Sequence, residues 1–157
     1  MAIAKKNPPK RAPAKKVAKK VVAKKTAAPK KVVRKVPFAK FYNGRKIPMI
    51  GLGTFGSDHM SNENIGKAVK FAIENGYRFL DCARVYYNEK EVGKAIKACI
   101  KAGTVARKDL HIVSKLANQD WPDVEFAVRR CLKDLQIDYL DTFMIHWPVP
   151  NEHPPGC

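Results

Sequence analysis

From residue 38 onward, short apolar runs alternate with longer stretches in which apolar residues recur every three to four positions. That is the pattern of strands alternating with amphipathic helices. KFYNGRKIPMIG reads as a β-hairpin: Asn43-Gly44 is a strong turn signal, and Pro48 confines the second strand to an edge. Ile50–Phe55 is expected to be the first strand of a larger sheet. Ser61 can cap a helix whose stripe is Ile65, Ala68, Val69, Ala72 and Ile73, with Gly76 as its C′ residue. Tyr77–Ala83 is the next strand. Asn88 with Glu91 resembles a capping box for a helix carrying Val92, Ala95, Ile96, Cys99 and Ile100 on one face, closed by Gly103. Leu110–Lys115 is the third strand. Pro122 suits the first turn of a third helix with the stripe Val124, Ala127, Val128, Cys131, Leu132 and Leu135. Tyr139–Ile145 is the fourth strand. Three strand–helix units and a further strand predict a parallel sheet with helices packed outside it. The pattern fits a β/α barrel and an open doubly wound sheet equally well.

Charge divides the chain. The formal net charge is +17, and residues 1–37 hold 14 Lys and Arg with no acidic residue, against 17 and 14 in residues 38–157. The first segment repeats Ala-Lys-Lys, is interrupted by prolines and has no aromatic residue. It cannot bury enough surface to offset its ordering entropy, so it is expected to be a disordered tail on a domain spanning 38–157. Its Lys/Ala/Pro composition resembles that of linker-histone tails. It suits non-specific binding to nucleic-acid phosphate, or a nuclear-import signal, or a solvated extension with no partner. The four cysteines form no CxxC and no zinc-like spacing with histidine, which predicts free thiols in a reducing, cytoplasmic setting and no metal site. No apolar run approaches about 18 residues, which predicts no membrane span.

The chemistry lies at the predicted strand ends. Asp81 closes the second strand, Lys115 the third and His146 the fourth, and Tyr86 follows the second by a short loop. In parallel α/β folds, ligands sit at the carboxyl ends of the strands. Each residue alone has a bland reading as a cap, packing group or hydrogen-bonded core residue. Together they can polarise a carbonyl that accepts hydride and hand it a proton. The oxygen gathers negative charge and needs a proton donor, and free phenol, near ~10, is too weak an acid at neutral pH. A nearby ammonium favours the phenolate, which Lys115 can do for Tyr86. Asp81 can balance the Lys115 charge, and His146 can hydrogen-bond and orient the carbonyl oxygen.

These segments resemble the aldo-keto reductase family. GYRFLDCARVYYNEKEVGKAI is similar to the family's second strand and loop, HIVSKLAN to its third strand, LQIDYLDTFMIHWP to its fourth and IPMIGLGTF to its first, with the hairpin as a plug at the barrel's bottom. The resemblance spans about residues 40–150. It implies an NADPH-dependent oxidoreductase that reduces a small-molecule aldehyde or ketone to an alcohol by hydride transfer. It implies Tyr86 as proton donor, Lys115 as its activating group, Asp81 as the lysine's partner and His146 as the substrate-orienting residue. Thr54 and Asp81 would approach the nicotinamide ribose, and Phe55, Val85 and Trp147 would line the substrate pocket with His146. Many relatives carry Trp where Phe55 stands. GLG at 51–53 is only a tight turn, not a dinucleotide fingerprint.

A β/α barrel needs eight strands and about 250 residues, whereas four barrel strands are predicted here. The resemblance also implies that much of the NADPH surface, and the loops that select substrate, lie in the barrel's second half. The expectation is therefore a partial barrel, a fragment of a normal-length enzyme. The alternatives are a half barrel that pairs with another chain, and an inactive half barrel whose tail binds nucleic acid.

Overall fold

The computed structural model describes residues 36–57 and 59–149. The tail of residues 1–37 lies outside the described residues except for its last two, as does Cys157. A hairpin comes first: β1 (Phe38–Lys40) pairs antiparallel with β2 (Lys46–Pro48). Gly44 sits at φ +84, in the left-handed region where glycine carries no steric penalty, and Asn43 Oδ1 accepts from the Arg45 amide at 3.0 Å.

Next comes the alternation read from the pattern: β3 (Leu52–Gly53), α1 (Asn62–Glu74), β4 (Phe79–Asp81), α2 (Glu89–Lys101), β5 (His111–Leu116), α3 (Val124–Leu135) and β6 (Thr142–Ile145). All four strands of this sheet are parallel, in the order β3-β4-β5-β6. This is an α/β fold matching the first strands and helices of a β/α barrel.

Apart from β5, which keeps its six residues one position later, the sheet strands are shorter than their apolar runs. Ile50–Phe55 contributes only Leu52 and Gly53, which pair with Leu80 and Asp81 of β4. Tyr77–Ala83 pairs only over Phe79–Asp81, since the chain then turns into a 3-10 segment, Arg84–Tyr86.

The helix ends combine local and tertiary hydrogen bonds. Ser61 caps α1 by accepting from the Asn64 amide at 3.3 Å, and Gly76 follows that helix at φ +100. Two expectations need correction. Asn88 precedes α2 but makes no side-chain cap; its amide is spent on Thr54, so the capping box with Glu91 does not form. Pro122 lies before α3 rather than in its first turn. Asp123 is the cap, accepting from the Phe126 amide at 2.8 Å. Gln136 ends α3 at φ +55, a conformation glycine usually fills.

The helices pack on one face of the sheet. Ile65, Val69 and Ile73 of α1 and Val92, Ile96 and Cys99 of α2 close over Leu80, Cys82 and Ile112, with Leu135 of α3 completing the cluster. The outward side chains of alternate strand residues build this core. The intervening ones, among them Asp81 and Lys115, point to the other face. Among the described residues, the strand at the far edge leaves Met144 and Ile145 exposed.

Helices α2 and α3 meet closely at Gly93. A Cβ there would lie 2.6 Å from the carbonyl oxygens of Asp134 and Leu135, which are backbone and cannot swing aside. Mid-helix Gly→Ala ordinarily stabilises by about 0.5–1 kcal/mol, whereas overpacking costs about 1–3 kcal/mol. Gly93→Ala is therefore expected to destabilise the protein, lowering the urea midpoint at unchanged slope. A raised midpoint would show that the helices are not in contact at this position.

Candidate active site

Because the strands are parallel, their carboxyl ends lie along one edge, and the predicted residues collect there. Asp81 ends β4, Lys115 is the penultimate residue of β5, and His146 directly follows β6. Tyr86 ends the 3-10 turn after β4, and Tyr87 at φ +53 reverses the chain into α2.

Lys115 is the hub. Only 9% exposed, it donates to Asp81 Oδ1 at 2.6 Å, to the Cys82 carbonyl at 2.9 Å and to the Tyr86 hydroxyl at 3.2 Å. These three acceptors use all three ammonium protons. Burial by itself would depress the lysine pKa. The hydrogen bonds to Asp81 and Tyr86, with the negative charge of Asp81, outweigh it and hold the group above its ordinary 10.5. Its contribution to stability is thus fully present below that value and is lost as pH rises through the higher folded value.

Aromatic rings surround the tyrosine. Phe55 packs against Tyr86 with centroids 5.1 Å apart, and His146 meets it edge-on at 5.8 Å. Trp147 stacks on the His146 imidazole at 5.9 Å and 6°. Phe55 and Trp147 are exposed, while Val85 is half-buried in the turn between Arg84 and Tyr86. The backbone amide of His146 donates to the Leu116 carbonyl at 3.1 Å, fixing the residue to the end of β5. Its Nδ1 is buried with no partner among the described residues. Burial first, and the Lys115 charge second, push the imidazole below its ordinary 6.5, with Asp81 opposing. The ring is therefore neutral at pH 7 and can donate one N–H to a carbonyl oxygen.

Thr54 faces inward. Its amide and hydroxyl both donate to the Asp81 carbonyl, at 3.0 and 3.1 Å, and its own carbonyl accepts from Asn88 Nδ2 at 2.7 Å. Asp81 keeps a side chain 41% exposed beside this buried framework, so its carboxylate can meet a ligand hydroxyl. The tetrad does not line the cavity of about 620 Å³ between the hairpin and Tyr139–Thr142, which is lined in part by Phe41, Arg45, His111 and Asp141. Among the described residues no group of three or more His, Cys, Asp and Glu could hold a metal ion. Cys82 and Cys131 are buried free thiols, each pushed up to about 12 by burial, and are unsuited to nucleophilic roles.

Sequence reasoning missed three polar residues behind the site: Asn88 as a tertiary donor, Glu89, and Ser114, whose hydroxyl donates to Glu89 Oε1 at 2.6 Å. Glu89 gave no signal, since an acid in the first turn suits any helix. Ser114 did give one, a hydroxyl in the otherwise apolar run HIVSKL.

The profile of the aldo/keto reductase family matches residues 49–155, a range that includes every candidate site residue. The chain is 46% identical over 114 residues to aldo-keto reductase family 1 member A1 of Gallus gallus, covering 71% of this chain and 34% of that protein. It is 44% identical over 117 residues to an aldose reductase of Encephalitozoon cuniculi, covering 74% of this chain and 38% of that one. The chain thus spans about a third of the length of the curated relatives it matches. Its fold is similar to the crystal structure of a Bombyx mori aldo-keto reductase in complex with NADP, with a TM-score of 0.71 at 36% identity, covering 74% of this chain and 40% of that one.

His146 is expected to titrate below 6.5 in an NMR pH series and to move upward in Lys115→Met, where only the Asp81 charge remains to act on it. His111, pushed down chiefly by burial at the other end of β5, serves as the internal reference. Both histidines bind protons less readily folded than unfolded, so stability should fall as pH drops from 6.5 through their folded values. An unmoved His146 in Lys115→Met would break the link between the two groups.

Proposed function

The chain belongs to the aldo/keto reductase family, and from that premise we propose that the protein reduces an aldehyde or ketone to an alcohol with NADPH, Tyr86 giving the carbonyl oxygen its proton. The observation that carries this reading is the Lys115 ammonium, held between the Asp81 carboxylate at 2.6 Å and the Tyr86 hydroxyl at 3.2 Å.

The part of the cofactor that the described residues fit is the nicotinamide ribose. Asp81 presents a half-exposed carboxylate able to accept from hydroxyls, and Thr54 holds the Asp81 backbone in place. When bound, NADPH supplies the hydride that reduces the carbonyl carbon. The neutral imidazole of His146 donates to the substrate oxygen and turns it toward Tyr86. As charge develops on that oxygen, the phenol O–H bond breaks and the proton passes to it, leaving a phenolate. The fixed ammonium beside it stabilises that phenolate without having to reorganise. Asp81 keeps the ammonium from being a lone buried charge. Phe55 and Trp147, the exposed rings flanking Tyr86 and His146, form the apolar walls against which the substrate body rests.

The test is NADPH consumption by the protein expressed from its complete coding sequence, across a panel of aldehydes and ketones. Tyr86→Phe is expected to lower kcat by about 10²–10⁴, the usual range for losing a general acid. NADPH should still quench the protein fluorescence in that variant. A Tyr86→Phe enzyme as active as the parent would remove the proton donor from the proposal.

Residues 1–37 support a second, separate reading: a tail that binds nucleic acid beside the reductase domain of residues 38–157. Its 14 Lys and Arg with no acid give one-signed charge over the whole segment. DNA affinity should then fall steeply with salt, with a log–log slope of about −0.9 per phosphate neutralised. Deleting residues 1–37 should abolish binding in a fluorescence-anisotropy titration. Binding that survives the deletion would move the interaction to the domain.

A further inference from the structure

We infer that Asn88 and Glu89, at the entrance to α2, are positioning residues that clamp the ends of β3 and β5 and so fix Tyr86 against Lys115. The inference rests on the reductase reading above. Both residues follow Tyr86 almost immediately and both are almost wholly buried, at 1% and 3% exposure. Neither side chain spends its hydrogen bond on the helix it begins. Asn88 occupies the cap position yet sends its Nδ2 across to the Thr54 carbonyl at 2.7 Å. Glu89 reaches the opposite way, accepting from Ser114 Oγ at 2.6 Å, and that hydroxyl also lies 3.7 Å from Cys131 Sγ of α3.

The two contacts close two circuits around the proton donor. In the first, Asn88 holds Thr54, Thr54 donates twice to the Asp81 carbonyl, and Asp81 accepts from Lys115, which donates to Tyr86. Tyr86 leads back through one intervening residue to Asn88. In the second, Glu89 holds Ser114, the residue before Lys115 on the opposite face of β5. The Lys115–Tyr86 separation is thereby fixed from both sides of the sheet.

Each clamp residue leaves one atom unpaired among the described residues, Asn88 Oδ1 and Glu89 Oε2. Unpaired buried polar atoms carry an uncompensated desolvation penalty. An apolar residue at either position would avoid that penalty but would lose the clamp. Burial is the main force pushing the Glu89 carboxyl up, with the Ser114 bond opposing it. The contact needs only an acceptor at Oε1, which a neutral amide also supplies.

The test uses the protein from its complete coding sequence and compares Glu89→Ala, Ser114→Ala, the double variant and Glu89→Gln. Glu89→Ala is expected to lower kcat about ten- to a hundredfold, the scale of a small misplacement of reacting groups. It should also move the alkaline limb of the kcat profile to higher pH, because a more distant ammonium stabilises the phenolate less. Ser114→Ala should do the same, and the double variant should lose little more than either single, since both remove one contact. Glu89→Gln should recover most of the loss. A Glu89→Ala enzyme with a lowered melting temperature but an unshifted kcat profile would overturn the inference, leaving the contact merely structural. So would additive losses in the double variant. Failure of the reductase reading itself looks different: Tyr86→Phe would then retain full activity whatever happens at Glu89.

Discussion

A lysine ammonium buried at the end of a sheet is the constraint around which the site is built. Leaving such a charge unpaired costs several kcal/mol. Lys115 therefore requires acceptors on every proton, and the chain delivers a carboxylate, a backbone carbonyl and a phenol. None of the three is adjacent to it in sequence. They arrive only if β4 lies parallel beside β5 with Asp81 opposite Val113, and if the chain after β4 turns back within a few residues. The need to satisfy one cation thus sets strand register, loop length and the position of Tyr86 together. Because Asp81 is 41% exposed, solvent screens its side of the pair, and the interaction contributes more to placement than to stability.

The α/β rhythm was legible in sequence because helix and strand periods alternate clearly and Gly76 and Gly103 punctuate them. The three strand-end residues, Asp81, Lys115 and His146, were legible for a related reason. Polar side chains that close apolar runs have few reasons to be there, and parallel strands bring such ends together. What escaped was decided by partners distant in the chain. Strand lengths follow from where each strand finds a paired neighbour, which no local window contains. Asn88 looks like a cap by every local rule, but a carbonyl 34 residues earlier in the chain takes its amide. Gln136 adopts a left-handed conformation with no glycine to announce it.

The roles of Thr54 and Asn88 illustrate how backbone polar groups organise the site. The Asp81 carbonyl accepts from both the amide and the hydroxyl of Thr54, so the end of β3 is bound to β4 beyond the last paired residues. That extends the sheet by hydrogen bonding where the strand itself has ended. The gain is rigidity at the point where a carboxylate must stay half in water and half against an ammonium. Helix α2 supplies the remaining restraint, because its entrance follows the tyrosine turn directly.

The sheet is pinned by an ion pair at each end, and the contrast between them separates structure from chemistry. At the amino ends of β5 and β6, Arg107 donates to the carbonyls of Leu110 and Tyr139 and to Asp141 Oδ2, which also accepts from the Ile112 amide. Every acceptor there is a backbone carbonyl or a carboxylate held in place, and a guanidinium does not give up its proton. At the carboxyl ends the cation is an ammonium, and one of its three acceptors is a hydroxyl that carries a proton of its own. The first pair can only hold strands together. The second holds them together and also sets a cation against a phenol O–H. Burial and geometry alike place both pairs in the fold, but only the ammonium at the carboxyl ends has a neighbouring hydroxyl whose proton could be transferred, which is why the proposed chemistry rests on the tyrosine rather than on the lysine or aspartate.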